Sequence, residues 1–275
     1  MQATLRAMSR PGVSIRYAVP FQPEAWVIPE GPVPESTAHD QAVLRIFLLL
    51  SAWAEARGDA RIARNLAIRW LENYPRVGID PDVCVLSPAP LDFEALTSLR
   101  LWEASRVAPV FSVEVVSGSH PYKDYNQVHE RYAALGAFEL LVFDPLLLGP
   151  RALGGPVPLQ LWRRDPTGTL DRTYFGGDPV FSQALDAWLS FDGETLIISD
   201  DRAGSKRWLT GEERERAEKE RERAEKERER SEKERERAEK ERERAEKERE
   251  RAAREDVERR LRELEIALSH DRAKS

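Results

Sequence analysis

Two acids carry the first chemical signal in this chain. Asp82 follows Pro81 at the start of the apolar run PDVCVL, and Glu114 sits inside FSVEVV, a run otherwise apolar apart from Ser112. Strand alternation puts Glu114 on one face with Ser112 and Val116, and turns Val113 and Val115 to the other. An isolated buried carboxylate costs many kcal/mol, so such an acid must be paired, hydrated or metal-bound. A sheet that pairs the two runs brings both acids to one end, where two hard oxygen ligands suit Mg²⁺ or Mn²⁺. The plainer alternative is that Pro-Asp opens a turn and the strand glutamate reaches an edge or an arginine.

The elements that must position these acids follow from the pattern around them. The segment ESTAHDQAVLRIFLLLSAWAEARGD offers Ser36 or Thr37 as N-cap, then Val43, Ile46, Phe47, Leu50, Trp53 and Ala54 at helical spacing, and then Gly58. Three β-like runs follow, ARNLAIRWL, PDVCVL and APVFSVEVV, separated by turns that contain proline. A second helix is expected over KDYNQVHERYAAL, stopped by Gly136, and FELLVFDP is a fourth strand. Helix, three strands, helix and strand together predict an α+β domain, a mixed sheet flanked by helices. Beyond it, VPLQLWRRDPTGTLDRTYF reads as a hairpin, FSQALDAWLSF as a short amphipathic helix and GETLIIS as another strand.

Composition divides the chain into an arm at 1–34, a domain at 35–210 and a charged tail at 211–275. All seven Trp lie between Trp26 and Trp208, whereas 35 of the 40 residues from Glu212 to Arg251 are Glu, Arg or Lys. The proline-rich arm carries one expected short strand at Ala25–Ile28. Residues 1–211 hold 25 acids and 20 bases, which argues against a protein that coats nucleic acid through bulk positive charge. Cys84 is the only cysteine, so no intrachain disulfide forms and a reducing compartment is expected. MQATLRAMSRPG has no apolar signal core, and the run from Ile46 to Ala54 is too short to cross a bilayer. A soluble cytoplasmic protein is the expectation.

The succession of elements, with PDVCVL, VEVVSGS, Asp124, Tyr132, Gly136, Glu139 and FDP at their spacing, resembles the PD-(D/E)xK nuclease superfamily. More narrowly, it resembles the bacterial Uma-type family described as restriction endonucleases; His39 and the charged helical tail also fit. The resemblance covers nearly the whole chain. It implies a restriction-endonuclease-like domain that hydrolyses phosphodiester bonds of nucleic acid, with DNA the expected substrate. Asp82 and Glu114 would hold Mg²⁺ or Mn²⁺, a lysine would orient or deprotonate the attacking water, and His39, Asp124 and Tyr132 would line the site. The superfamily places that lysine two residues after the strand acid, and the narrower family four residues after the helix aspartate; here these positions are Val116 and Val128. Lys123 is the nearest replacement, with Gln127 and His129 behind it, and as a plain alternative Lys123 is a solvated loop residue. A catalytically silent nuclease fold that binds nucleic acid or a protein partner is therefore the second reading.

In the tail, ERERAEK recurs with Ala217, Ala224, Ser231, Ala238 and Ala245 seven residues apart. Pairs such as Glu215 with Lys219 and Glu222 with Lys226 support a helix, but one small apolar residue per heptad cannot build a coiled-coil seam. A single solvated helix acting as a spacer is expected. Val257, Leu261, Leu264 and Leu268 form a short apolar seam that could pair two tails or dock on a partner; with barely two heptads, weak self-association is expected unless the body also contributes to a homodimer.

Overall fold

The computed structural model describes residues 36–272, with side chains to residue 263. The N-terminal arm and the strand expected at Ala25–Ile28 lie outside the described residues. The chain divides into two compact units, Met1–Glu212 and Glu213–Ser275.

The first unit opens with α1 (Thr37–Arg57), whose N-cap Ser36 accepts a hydrogen bond from the His39 backbone N–H at 3.2 Å. Gly58 ends it at φ +78°, a left-handed conformation that glycine adopts without steric cost. Strands β1 (Arg61–Ala63), β2 (Ala67–Arg69), β3 (Gly78–Ile79), β4 (Val83–Leu86), β5 (Ser98–Arg100) and β6 (Phe111–Val115) follow. Helices α2 (Pro121–Asn126) and α3 (Val128–Leu135) lead to β7 (Glu139–Phe143), then β8 (Leu159–Arg164) and β9 (Leu170–Gly176). The unit closes with β10 (Val180–Ser182), β11 (Ala187–Phe191) and β12 (Leu196–Ser199).

Six strands form the main sheet in the order β1-β4-β6-β7-β8-β9. Strands β4 and β6 pair antiparallel, β6 and β7 pair parallel through the α2–α3 crossover, and the sheet is mixed, as the pattern of elements required. On one face, Val83, Val85, Phe111, Val113, Val115 and Leu141 pack against Val43, Ile46, Leu49 and Leu50 of α1 and against Leu189, Leu196 and Ile198 of the β10-β11-β12 sheet. On the other face, Cys84, Leu86, Val116, Leu140 and Val142 pack against Val128, Tyr132 and Leu135 of α3. The strand alternation that splits β6 between these cores also turns Glu114 toward α3. Burial in this second core pushes the Cys84 thiol up to about 12, which makes it an inert core residue.

Three expectations need correction. ARNLAIRWL is not one strand: β1 joins the main sheet, and β2 joins a small sheet of order β3-β2-β5. The helix over 123–135 is two helices that meet at Gln127, the C-cap of one and the N-cap of the next. FSQALDAWLSF is not a helix but the hairpin of β10 and β11, which turns through Asp186 at φ +52° and pairs onward to β12.

The second unit is the greater part of α4 (Gly211–Arg272), a helix of 62 residues and about 93 Å. Its pairs Glu215–Lys219, Glu222–Lys226, Glu229–Lys233, Glu236–Lys240 and Glu243–Lys247 repeat once per heptad at 2.5–3.9 Å. Solvent screens each of these exposed pairs, so the helix rests on the intrinsic propensity of Ala, Glu, Arg and Lys as much as on ion pairs. Among the described residues, no helix is long and apolar enough to cross a membrane.

Candidate active site

Strand pairing decides where the two acids lie. Val83 opposes Val113 in the antiparallel β4–β6 register, so one step outward brings Asp82 opposite Glu114 at the end of the pair. Both are buried, and Asp82 raises the pKa of Glu114, a through-space effect that only a near neighbour produces.

Each carboxylate is held by one oxygen. Asp82 Oδ2 accepts the Val115 N–H at 2.7 Å and lies 3.3 Å from His39 Nε2, which itself sits 3.1 Å from the Val115 carbonyl oxygen. The first turn of α1 thus reaches the end of β6, and His39 fixes the acid and the peptide beside it. Tyr132 on α3 donates its hydroxyl proton to Glu114 Oε1 at 2.5 Å. Asp124 on α2 does not cap the helix, where His120 holds the N-cap position; its Oδ2 accepts the Ser117 N–H at 3.2 Å and fixes the loop after β6. The second oxygens of Asp82, Glu114 and Asp124 accept no hydrogen bond among the described residues.

Electrostatics couples the same residues. Burial pushes the Glu114 pKa well above its ordinary value, and the charge of Asp82 pushes it further; the Tyr132 hydrogen bond and the Lys123 charge oppose this. Burial likewise raises Asp124, with Asp82 adding to it and the Ser117 N–H and Lys123 lowering it. Tyr132 is raised by burial and then by Glu114, so it stays a protonated donor. Lys123 is exposed in the first turn of α2, in range of Glu114 and Asp124 by its charge but, among the described residues, in no ion pair. Gln127 is exposed at the break between the helices and makes no hydrogen bond to either acid.

The two positions where the family pattern expects lysine are closed. Val116 and Val128 are 2% and 1% exposed and belong to the same apolar core. The donor chemistry fits a hard divalent cation: two carboxylates, each with an oxygen to spare, whose mutual repulsion a cation would relieve. Among the described residues, no group of three or more His, Cys, Asp or Glu is arranged to hold a metal, so any ion here would keep waters in much of its shell.

Two acids of the resemblance have another role. Glu139 at the start of β7 accepts from Arg163 Nε at 2.6 Å, Ser182 Oγ at 2.5 Å, and the Gln183 and Ala184 N–H groups at 3.0 and 3.2 Å. It ties the β10–β11 turn to the main sheet. Asp144 accepts from Tyr125 Oη at 2.8 Å and from the Leu148 and Gly149 N–H groups at 2.9 and 2.8 Å, which folds the loop after β7. No local pattern marks Tyr125 or Ser117 as partners, since both bonds depend on how α2 lies over the sheet.

Residues 26–147 match the Uma2 family, described as "Putative restriction endonuclease". Among solved structures, the chain is similar to a "putative nuclease belonging to DUF820" from Anabaena variabilis ATCC 29413, with 12% identity and a TM-score of 0.36 over 56% of this chain and 76% of that one. No curated protein matches the chain.

Proposed function

From the match of residues 26–147 to the Uma2 family of restriction-endonuclease-like proteins, we propose that the chain is a divalent-metal-dependent endonuclease acting on DNA. The single observation that carries the proposal is the coupled pair of buried carboxylates, Asp82 and Glu114, each held by one oxygen with the other uncommitted. Mg²⁺ or Mn²⁺ bound between them would polarise the scissile phosphate and acidify a bound water. Within the chain, Val115 N–H and His39 hold Asp82 in place, and Tyr132 holds Glu114. Preorganisation of this kind saves the reorganisation that loose ligands would require. Lys123 is the cation that remains for the work expected of the family lysine, carried on a flexible stem that can approach a phosphate or its water.

The decisive test is cleavage of plasmid DNA, single-stranded DNA and RNA in Mg²⁺ or Mn²⁺, beside Asp82→Ala and Glu114→Ala. The expected result is metal-dependent cutting of DNA that both substitutions abolish, with Lys123→Ala reducing the rate on the order of 10²-fold or more. Equal cutting by the acid variants would overturn the assignment of the site.

One observation favours a second reading. With Val116 and Val128 both sealed in the core, the site has no lysine where either nuclease pattern expects it. A silent nuclease fold that binds nucleic acid, with α4 as a spacer or as a dimerising helix through Val257 and Leu261, fits that fact. Val257 and Leu261 are 58% and 55% exposed. Nucleic-acid binding without cutting, by a chain that binds no Mn²⁺ in calorimetry, would establish this reading in place of the first.

A further inference from the structure

A second polar constellation lies on the same sheet face as Glu114, and no part of the proposed hydrolysis uses it. Direct pairing carries Glu114 to Val142, Val142 to Gln160 and Gln160 to Phe175, a single row across β6, β7, β8 and β9. Beside the outer end of that row, Arg172 on the edge strand opposes Trp162. Its guanidinium lies 5.4 Å from the Trp162 ring centre and 4.3 Å from that of Phe175. The other ring contact of Trp162 is His129 on α3, stacked at 4.2 Å and 6°. Tyr125 meets Phe175 edge to face at 6.4 Å.

Arg172 is exposed and, among the described residues, in no ion pair, although acids outnumber bases in residues 1–211. Its one hydrogen bond among the described residues, from Nη1 to Gln160 Oε1, is long at 3.4 Å. Two aromatic rings therefore fix the guanidinium while nearly all of its donors stay uncommitted. Unpartnered polar atoms lie in the side chains around it. Trp162 Nε1, His129 Nδ1 and Gln160 Nε2 are buried without a hydrogen-bond partner, and Gln160 is only 1% exposed. Unmet buried polar atoms are costly and uncommon, and a guanidinium beside them with its own donors uncommitted suits an acceptor-rich anion.

We propose that Arg172, held over Trp162 and Phe175, is a phosphate-binding subsite for a nucleic-acid strand that also reaches Asp82 and Glu114. The proposal rests on the nuclease reading and adds to it the position of a remote substrate contact. Three strand spacings separate β6 from β9, about 14 Å, which is the axial rise of about four nucleotides of one strand. A planar fork suits a phosphate better than an ammonium does, and stacking lowers the entropy lost in using it. Tyr132 and His129 both stand on α3, one bonded to Glu114 and the other stacked on Trp162, so the same helix braces both places.

The test is fluorescence anisotropy of labelled duplex and single-stranded DNA with the full-length chain in EDTA, across a salt series, for wild type, Arg172→Ala and Arg172→Lys. Arg172→Ala is expected to bind roughly fivefold to tenfold more weakly on every sequence, with the log–log salt slope shallower by about 0.9 on duplex or 0.7 on single strands. Arg172→Lys is expected to keep the slope and lose part of the affinity, which separates phosphate contact from a folding defect. An unchanged slope in Arg172→Ala, with wild type binding DNA, overturns the subsite and leaves the nuclease assignment standing. A reduced slope in a chain that does not cut supports the subsite and defeats the enzyme reading alone. No DNA binding by wild type overturns both.

Discussion

Two sets of buried acids sit on neighbouring strands of one sheet, and their surroundings differ in kind. Glu139 and Asp144, on and just after β7, accept four and three hydrogen bonds respectively, and every donor comes from a segment that the bond anchors. Asp82, Glu114 and Asp124, around the end of β6, each accept through one oxygen, and burial with mutual repulsion raises the pKa of Glu114 and Asp124. A carboxylate surrounded by donors is a fastening. One that is buried, half satisfied and repelled by its neighbour is a place where a cation would be stabilised.

The largest effect that could break this contrast is on Glu139. Glu139→Ala leaves Arg163 and the β10–β11 turn without their acceptor, and breaking a buried ion pair typically costs about 3–5 kcal/mol. A fall in Tm of roughly 10 °C is expected by calorimetry, with Mn²⁺ affinity of the folded protein unchanged. If Mn²⁺ binding falls instead, Glu139 belongs to the functional set and is no mere fastening. Tyr125→Phe is a milder version on the same side. Its hydroxyl donates to Asp144 and accepts the Val157 N–H at 3.1 Å, so a loss of about 1–3 kcal/mol is expected in denaturant unfolding.

On the other side the sign reverses. The folded-state pKa of Glu114 is raised, so its contribution to stability is present below the unfolded-state value and is lost as pH rises through the folded one. Glu114→Gln removes that penalty and keeps an acceptor for Tyr132, so the metal-free variant is expected to melt higher than wild type at pH 8 and close to it at pH 4. A melting temperature lowered at pH 8 would show that Glu114 is a fastening like Glu139.

Much of this contrast was legible in the sequence, for reasons that mark where the rest was not. Pro81 before Asp82 and the alternation in FSVEVV located the acid pair, because strand period and proline are local signals. The spacing shared with the nuclease family singled out Tyr132, Asp124 and His39, but it also gathered Glu139, which the structure gives a fastening role. Helix α1 announced itself through caps and a long apolar stripe. The break at Gln127 has no glycine or proline to signal it. The small sheet β3-β2-β5 is made of strands of two and three residues, too short for alternation to be seen. FSQALDAWLSF has the composition of a helix, and only its pairing to β12 and the hold of Glu139 on Ser182–Ala184 make it a hairpin. The Arg172 stack had no sequence signal at all, since it joins α3, β8 and β9.

The finest distinction between the two sets is chemical and concerns one hydroxyl. Tyr132 lowers the pKa of Glu114 by donating to its charged form, so Tyr132→Phe should raise that pKa further while leaving the carboxylate in place. A metal ion must displace the Glu114 proton to bind. Below that pKa, Mn²⁺ affinity should fall about tenfold per pH unit, and above it affinity should be flat. In Tyr132→Phe the bend in this profile should move to higher pH, with both proteins converging in the alkaline limit. A constant loss of affinity at every pH would mean that Tyr132 positions Glu114 without tuning it. An identical profile would mean that the proton released on metal binding comes from elsewhere, and Asp124, the other acid with a raised pKa, would be the one to substitute next.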